Sequence, residues 1–248
     1  MNNFARPGGF QAMPPVVKNL LIINGLFFLG TLLLEEKFRI NLTQILGLHF
    51  YKSALFEPHQ LVSHLFMHGN FLHLFSNMFA LWMFGNLMEN VWGSQRFFVY
   101  YFVTGLGAAL LHTLVIQFQY SELASQLDAA TLNLVLKNDI NALEQVATSS
   151  NIEQIKGLLS LLNIPTVGAS GAVFGVLLAY GMFFPNNVVY VYFAIPLKSK
   201  YFVALYGAFE LYAGFANNPG DNVAHFAHLG GMLFGYILIK TWDKKRRY

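Results

Sequence analysis

The sequence has no cysteine and few charged residues. Without Cys among its 248 residues, the chain has no disulfide, no thiolate metal site and no cysteine nucleophile, although the redox compartment stays open. Charged residues make up only 11% and hydrophobic residues 55%, whereas a soluble domain carries roughly 25% charged residues. So few charges cannot cover a water-facing surface, and the composition predicts a protein of the lipid bilayer.

Two further shortages narrow the function. The net charge is only +3, and its positive excess comes mostly from the C-terminal end, so nucleic acid is not an expected partner. The sequence also shows no internal repeat and no low-complexity tract. Because transporters often have repeat symmetry, a transporter or channel is the less favoured class of membrane protein.

The apolar residues are concentrated in six segments whose lengths predict transmembrane helices, since about 20 helical residues cross the hydrocarbon core. The fourth and fifth segments are short for this role. Between them, the stretch from Val188 to Ile195 is β-branched and aromatic-rich and predicts an extended interfacial segment. The predicted spans are approximately 17–34, 68–88, 97–117, 169–184, 200–216 and 223–241.

Lys and Arg are unevenly distributed between the two sides of this arrangement. Most of them lie on the side of both termini, which predicts cytoplasmic termini. No small-residue cleavage site follows the first apolar run, so we expect a retained helix and, as the location, a bacterial inner membrane. The predicted regions are a tail over 1–16, a membrane domain over 17–241 and a basic tail over 242–248.

The connection between the third and fourth spans is the only soluble-looking part of the chain. From about 118 to 165, apolar residues recur at helical spacing, which predicts two amphipathic helices on the outer surface. The segment Ser150-Asn151-Ile152-Glu153 has the pattern of a capping box at the start of the second helix. We therefore expect an all-α bundle of six membrane helices with a helical insertion in this outer loop.

Several polar side chains stand in or beside the second span, where each is costly unless it has a partner. His64 and His68 are four residues apart, and so are His73 and Asn77, so each pair shares a helix face. Three interpretations stay open for these residues taken alone: hydrogen bonding between packed helices, a zinc site and catalysis.

The fourth span opens with a serine among small residues, in Gly168-Ala169-Ser170-Gly171. Serine at a helix start is usually an N-cap, but these neighbours allow another backbone or a substrate to approach closely. The free N–H groups at a helix start are also what a developing oxyanion requires. Ser170 is therefore a candidate nucleophile.

The sixth span supplies a candidate base. Ala227, Gly231 and Gly235 form a stripe of small residues along which a partner helix can lie close. If that partner is the fourth span, His228 reaches Ser170, and the two form a nucleophile with an adjacent general base.

We expect a Ser-His dyad and not a triad, because no acidic residue stands in a suitable place. Asp221 precedes His228 in the sequence but is expected at the outer end of its helix. His225 is an alternative base. Glu210, an ionisable residue in the fifth span, has a role that the sequence leaves open.

A catalytic serine would also give the polar residues of the second span a role. The side chains of His73 and Asn77 are neutral donors, and with the backbone amide of Ser170 they could bind the oxyanion of a tetrahedral intermediate. Polar sites on the second, fourth and sixth spans would then serve one reaction.

Together these residues resemble the rhomboid family of intramembrane serine proteases. The resemblance covers all six spans and implies a Ser170 nucleophile, a His228 base and an oxyanion hole from His73, Asn77 and the Ser170 amide. It implies hydrolysis of peptide bonds in or near the transmembrane helix of a membrane-protein substrate, without a cofactor or a metal. The matching stretches are His64-Leu65-Phe66-Met67-His68, His73-Leu74-Phe75-Ser76-Asn77, Glu89 with Trp92-Gly93-Ser94 and Arg96, Gly168-Ala169-Ser170-Gly171, and Ala227-His228 with Gly231 and Gly235.

The sequence departs from the family pattern in three places, the first of which is His59-Gln60, where the family often has Trp-Arg or a similar pair in the first outer loop. The residue four after the serine is often Tyr in the family, and here it is Phe174, which can stack on the histidine. The loop between the third and fourth spans is longer than in compact members, and we expect its helices beside the outer mouth. An inactive rhomboid-like protein that captures transmembrane clients is the alternative function, although such relatives lack the serine or the histidine that this chain has.

Overall fold

The computed structural model describes residues 13–191, 194–216 and 224–244, and this part of the chain is mostly helical. Asp221 and the ends of the two predicted tails, 1–12 and 245–248, lie outside the described residues. The α-helices are α1 (Pro15–Phe38), α2 (Leu42–Leu46), α3 (Gln60–Ser63), α4 (Phe71–Ala80), α5 (Asn86–Trp92), α6 (Ser94–Ala124), α7 (Ala129–Leu136), α8 (Ile140–Val146), α9 (Ile152–Asn163), α10 (Ser170–Phe183), α11 (Ser199–Ala216) and α12 (His225–Lys244).

Helix covers most of each predicted span, but the helices differ in length and apolarity. Among the described residues, three helical rods are long and apolar enough to cross a membrane, judged by length and composition: Pro15–Phe38, Phe71–Trp92 and Ser94–Ala124. The second rod consists of α4 and α5 joined by the π-helical segment Leu81–Gly85. α10 is a shorter apolar helix.

α10 forms the centre of the bundle and packs against α6 and α12. It is hydrophobic on all sides, and such a helix is stable when other helices surround it. The contacts depend on small residues: a methyl group on Gly231 would overlap the carbonyl oxygen of Gly171, and one on Gly171 would overlap Ala108. The predicted close approach of the sixth segment to the fourth is confirmed, whereas Gly235 lies against Tyr100 of α6.

A buried carboxylate joins three helices away from this crossing. Glu89 of α5 accepts hydrogen bonds from the backbone N–H groups of Val16 and Val17, at 3.0 and 2.8 Å, and from the hydroxyl of Ser94 at 2.7 Å. The first N–H groups of a helix have no partner within it, and a carboxylate there is also favoured by the helix dipole. Glu89 therefore caps α1 from a distant part of the chain.

The connection between α6 and α10 contains three short helices, α7 to α9, and the prediction of two is wrong. The apolar periodicity continues through residues 138–139, but Asn138 adopts a left-handed conformation (φ 54°) and the side chain of Asp139 caps the start of α8. The predicted capping box is also wrong, since Asn151 is the N-cap residue of α9 and its side chain accepts a hydrogen bond from Thr148 N, while the hydroxyl of Ser150 pairs with that of Thr148.

These short helices have a small apolar core of their own, which also includes residues from other parts of the chain. Phe50 comes from the segment between α1 and α4, here called the first loop, and Tyr120 comes from α6. The buried members of this core are Phe50, Tyr120, Val135, Leu143, Ile155, Leu158 and Leu162. Leu48 and Thr166 exchange backbone hydrogen bonds of 2.9 and 2.8 Å, so the first loop is fastened to the chain that leads into α10.

The extended structure predicted after the fourth span is confirmed for the first part of its range. Strand β1 (Val188–Val191) pairs with β2 (Ile195–Lys198) in an antiparallel hairpin. This hairpin connects α10 to α11. It therefore leads the chain to the helix that carries Glu210.

Candidate active site

Ser170 is the first residue of α10, and the residues before it are held from two sides. Gly168 has φ +126°, a backbone conformation that side chains with a Cβ rarely adopt. Its N–H donates to the carbonyl of His64 at 3.0 Å, so the first loop supports the approach to the serine. A methyl group on Gly168 would lie 2.9 Å from Cε1 and Nε2 of His73, so the glycine also allows that ring to lie close to Ser170.

The structure brings together the predicted nucleophile and base. Oγ of Ser170 and Nε2 of His228 are 2.9 Å apart, although the residues are separated by 58 positions in the chain. His228 is 8% exposed and lies one turn into α12, beside the crossing with α10. The distance is within the range in which an imidazole can take a proton from a hydroxyl.

Phe174 holds the face of the His228 ring. The two ring centroids are 4.1 Å apart and the planes differ by 5°, so the stacking expected of Phe174 is confirmed. Phe174 is one helical turn beyond Ser170, and α10 therefore supplies both the hydroxyl and the surface against which the imidazole packs. Stacking leaves the ring nitrogens at the edge free to form hydrogen bonds.

The expectation that no carboxylate lies beside His228 is wrong. Oε2 of Glu210, on α11, is 2.9 Å from Nδ1 of His228 and 2.6 Å from Nδ1 of His225. Glu210 is buried, and the packing of α11 against α12 brings it to the histidines. Asp221 is close to His228 in the sequence, whereas the carboxylate that contacts His228 comes from another helix. The sequence feature that could have indicated this contact is the position of Glu210, an ionisable residue, within an apolar segment.

The two predicted oxyanion ligands, His73 and Asn77, lie one turn apart on the same face of α4. The N–H of His73 donates to the side chain of Asn70, which caps the helix, at 2.8 Å. Gly69 N lies 3.5 Å from Nδ1 of His73, an arrangement that favours the proton on Nε2, the atom next to Gly168. The side-chain amide of Asn77 donates to the carbonyl of His73 at 2.9 Å and has a second N–H.

The expectation that His64 and His68 share a helix face is wrong, because the chain leaves the helical conformation at Met67. Burial lowers the pKa of His64 to about 4, so its ring is neutral at physiological pH, and Nδ1 lies 2.8 Å from the carbonyl of Gln60. The ring of His68 packs edge-on against His73, with centroids 5.1 Å apart. Among the described residues, the ionisable side chains close enough to share a metal are Glu210, His225 and His228.

The geometry can support acyl transfer. A hydroxyl at the start of a helix is hydrogen-bonded to an imidazole, and the imidazole is bonded in turn to a carboxylate. The imidazole of His73, a donor side chain of α4, stands beside Gly168, two residues before the serine. Nucleophile, base and nearby donors are the parts that attack on a carbonyl carbon requires.

Comparison with known proteins gives a consistent family. A family model described as Rhomboid domain matches residues 55–243. The chain is 26% identical over 186 residues to "Rhomboid protein 1, mitochondrial" of Saccharomyces cerevisiae, covering 73% of this chain and 42% of that protein. It is 26% identical over 244 residues to "Rhomboid-like protein 11, chloroplastic" of Arabidopsis thaliana, covering 89% of this chain and 66% of that protein.

A third relative agrees with these two. The chain is 27% identical over 185 residues to "RHOMBOID-like protein 5" of Arabidopsis thaliana, covering 74% of this chain and 45% of that protein. The chain therefore spans 42%, 66% and 45% of the lengths of these three relatives.

Proposed function

The chain belongs to the rhomboid family of membrane proteins, and from this premise we propose that it is an intramembrane serine endopeptidase. The resemblance seen in the sequence motifs is thereby confirmed. In this proposal, the enzyme cleaves membrane-protein substrates in or near a transmembrane helix. The observation that carries the proposal is the 2.9 Å contact between Ser170 Oγ and His228 Nε2 at the start of a buried helix.

The proposed reaction begins with attack of Ser170 Oγ on a peptide carbonyl carbon, while the hydroxyl proton passes to Nε2 of His228. The oxyanion accepts hydrogen bonds from His73, Asn77 and the backbone amide of Ser170. When the tetrahedral intermediate collapses, the C–N bond breaks and His228 returns the proton to the leaving amine.

Deacylation repeats these steps with water as the nucleophile. Water gives a proton to His228 as it attacks the acyl carbon. The second tetrahedral intermediate then collapses, the C–O bond to Ser170 breaks, and His228 returns the proton to Oγ as the new carboxyl end leaves. Helical carbonyls are hydrogen-bonded within the substrate helix, so the substrate must unwind locally before attack. We therefore expect substrates whose helices unwind readily, with small residues at the cleavage site.

The membrane arrangement is part of the proposal. We propose six transmembrane helices, built on the segments 17–34, 68–88, 97–117, 169–184, 200–216 and 223–241, with the helices of about 118–165 as an insertion on the outer side. The positive-inside rule supports cytoplasmic tails over 1–16 and 242–248. A bacterial inner membrane remains the proposed location, although two of the relatives are named mitochondrial and chloroplastic.

Active-site labelling tests the proposed function. A fluorophosphonate probe should label wild-type protein in membranes and leave Ser170→Ala unlabelled, because only an activated serine attacks the probe. The same pair should differ in cleavage of a single-span model substrate. Ser150→Ala, which changes an exposed serine in the α8–α9 connection, should behave like wild type. Well-folded wild type that neither labels nor cleaves would point instead to an inactive, client-binding protein.

A further inference from the structure

The His228 ring has different partners on its two nitrogens. Nε2 lies 2.9 Å from Ser170 Oγ, and Nδ1 lies 2.9 Å from Glu210 Oε2. Glu210 is 3% exposed, so its carboxylate is shielded from bulk water. The three side chains come from α10, α12 and α11, respectively.

We propose that Glu210 is a positioning residue for His228, so that the site works as a hydrogen-bonded series Ser170–His228–Glu210 and not as an isolated serine–histidine pair. This inference rests on the proposed protease function. A carboxylate can only accept a hydrogen bond, so Nδ1 of His228 must carry a proton. The neutral ring then presents the lone pair of Nε2 to the Ser170 hydroxyl, which is the tautomer that a general base needs.

Glu210 also acts at the moment of proton transfer. When Nε2 takes the proton from Ser170, the ring becomes an imidazolium with a carboxylate 2.9 Å from its other nitrogen. The attraction between the two charges is strong in a site with little water, so the carboxylate favours the charged ring that forms during attack. Glu210 keeps its own charge throughout and touches neither substrate nor serine.

His225 holds the carboxylate in place. Its Nδ1 lies 2.6 Å from the same oxygen of Glu210, so that oxygen accepts from two imidazoles on consecutive turns of α12. Two hydrogen bonds compensate in part for burying a carboxylate among apolar helices. Both nitrogens approach a single oxygen at hydrogen-bond lengths, an arrangement that protons on the rings explain without a metal ion.

The test measures the rate of fluorophosphonate labelling of the detergent-solubilised full chain between pH 5 and pH 9, with a chelator present. This reaction depends on Ser170 and His228 and requires no knowledge of the natural substrate. Glu210→Gln should label at least 10-fold more slowly than wild type at the pH optimum. Its half-maximal rate on the acid side should move to lower pH, because the imidazolium loses its counter-charge and the ring stays neutral in more acidic solution.

Two further variants separate charge from packing. Glu210→Asp keeps the carboxylate on a shorter side chain. We expect it to label faster than Glu210→Gln and to reach its half-maximal rate on the acid side at a pH close to that of wild type. Glu57→Gln makes the same chemical change at an exposed site in the first loop. It should leave unchanged both the labelling rate and the pH of the half-maximal rate on the acid side. Within 13–191, 194–216 and 224–244, the other ionisable groups that act on His228 are His73, His112 and His225, and all three stay unchanged in every variant.

The outcomes distinguish this inference from the proposed function. If wild type shows no Ser170-dependent labelling, the protease proposal itself fails. Suppose instead that wild type labels and Glu210→Gln either keeps the wild-type rate or labels more slowly with no change in the pH of its half-maximal rate on the acid side. Glu210 then has at most a structural role, and the inference is overturned.

A measurement on wild type covers the case in which Glu210→Gln does not fold. Histidine ¹⁵N resonances, assigned by comparison with His228→Gln, report which ring nitrogen carries the proton in the neutral form. A protonated Nδ1 on His228 supports the inference, and a protonated Nε2 overturns it.

Discussion

At the scale of single residues, Gly168 controls how close the serine comes to α4. Its φ of +126° lies outside the range that residues with a Cβ adopt without strain, which typically costs about 1–3 kcal/mol. An added Cβ would also press on the His73 ring at 2.9 Å. One glycine therefore serves both the backbone that leads to Ser170 and the position of a proposed oxyanion donor.

Replacing this glycine should therefore damage activity more than stability. We expect Gly168→Ala to fold but to label with fluorophosphonate roughly 100-fold more slowly, the loss typical of a displacement of about 1 Å in an active site. Gly30→Ala in α1, where an added methyl group meets nothing within 4 Å, is the matched control. A Gly168→Ala protein with the wild-type labelling rate would show that the backbone and His73 adjust freely.

The residue scale also shows what the sequence can and cannot predict about the site. Ser170 and His228 were predictable because small residues flank both, and small residues mark helices that pack closely. The Glu210–His228 contact was not predictable in this way, because it depends on how α11 rotates against α12. The helical spacing of residues in a sequence indicates which side chains share a face of one helix. It does not indicate which face of a neighbouring helix those side chains contact.

At the scale of elements, the crossing of α10 and α12 sets the geometry of the site. Gly231 is packed against the backbone of Gly171, one residue after the serine, and His228 lies one turn before Gly231. The separation of the two helix axes at this point therefore determines the Ser170–His228 distance. A change at Gly231 acts on the active site without touching either reacting side chain.

An alanine at this crossing should move the helices apart. Where an added methyl group has room, Gly→Ala stabilises a helix by about 1 kcal/mol. Gly25→Ala, with no atom within 4 Å of the added methyl group, should therefore keep or raise the midpoint of thermal unfolding. Gly231→Ala should lower it and also abolish labelling of Ser170, since its methyl group overlaps the Gly171 carbonyl. Equal midpoints for the two variants would contradict the close crossing.

The ends of some helices differ from those predicted by the apolar pattern, because tertiary packing or local hydrogen bonds determine where those helices end. The third predicted span ended at 117, but α6 continues to Ala124, because Tyr120 packs into the core formed with α7 to α9. Conversely, the apolar residues keep their helical spacing over 132–146, although the helical conformation is interrupted at Asn138. Neither effect is visible in periodicity, since one depends on a distant partner and the other on the conformation of a single residue.

At the scale of the whole molecule, the site is supported from both of its cores. The main core contains buried residues of α10 together with Phe97, Tyr100 and Tyr101 of α6, and the smaller core unites α7 to α9 with the first loop. The first loop reaches the serine through the hydrogen bond from Gly168 N to the His64 carbonyl. We therefore interpret the smaller core as a support for the first loop, and through it for the residues that precede Ser170.

The length of α6 makes the proposed topology testable. A helix of 31 residues is about 45 Å long, which exceeds the roughly 30 Å thickness of the hydrocarbon core. Its first residues, with Gln95 and Arg96 exposed, should therefore lie on the opposite side of the membrane from Tyr120 and the helices packed on it. Since basic residues favour the cytoplasm, we expect Gln95 inside and Ser150, in the α8–α9 connection, outside.

Because the chain has no native cysteine, a single introduced cysteine is the one position at which a maleimide labels this protein. In spheroplasts of a bacterial host, a membrane-impermeant maleimide should label Ser150→Cys directly and Gln95→Cys only after permeabilisation. Retained fluorophosphonate labelling shows that each variant is folded. The reverse pattern would invert the orientation and place the proposed active-site mouth on the cytoplasmic side. Direct labelling of both positions would mean that α6 does not cross the membrane, and the six-span arrangement could not stand.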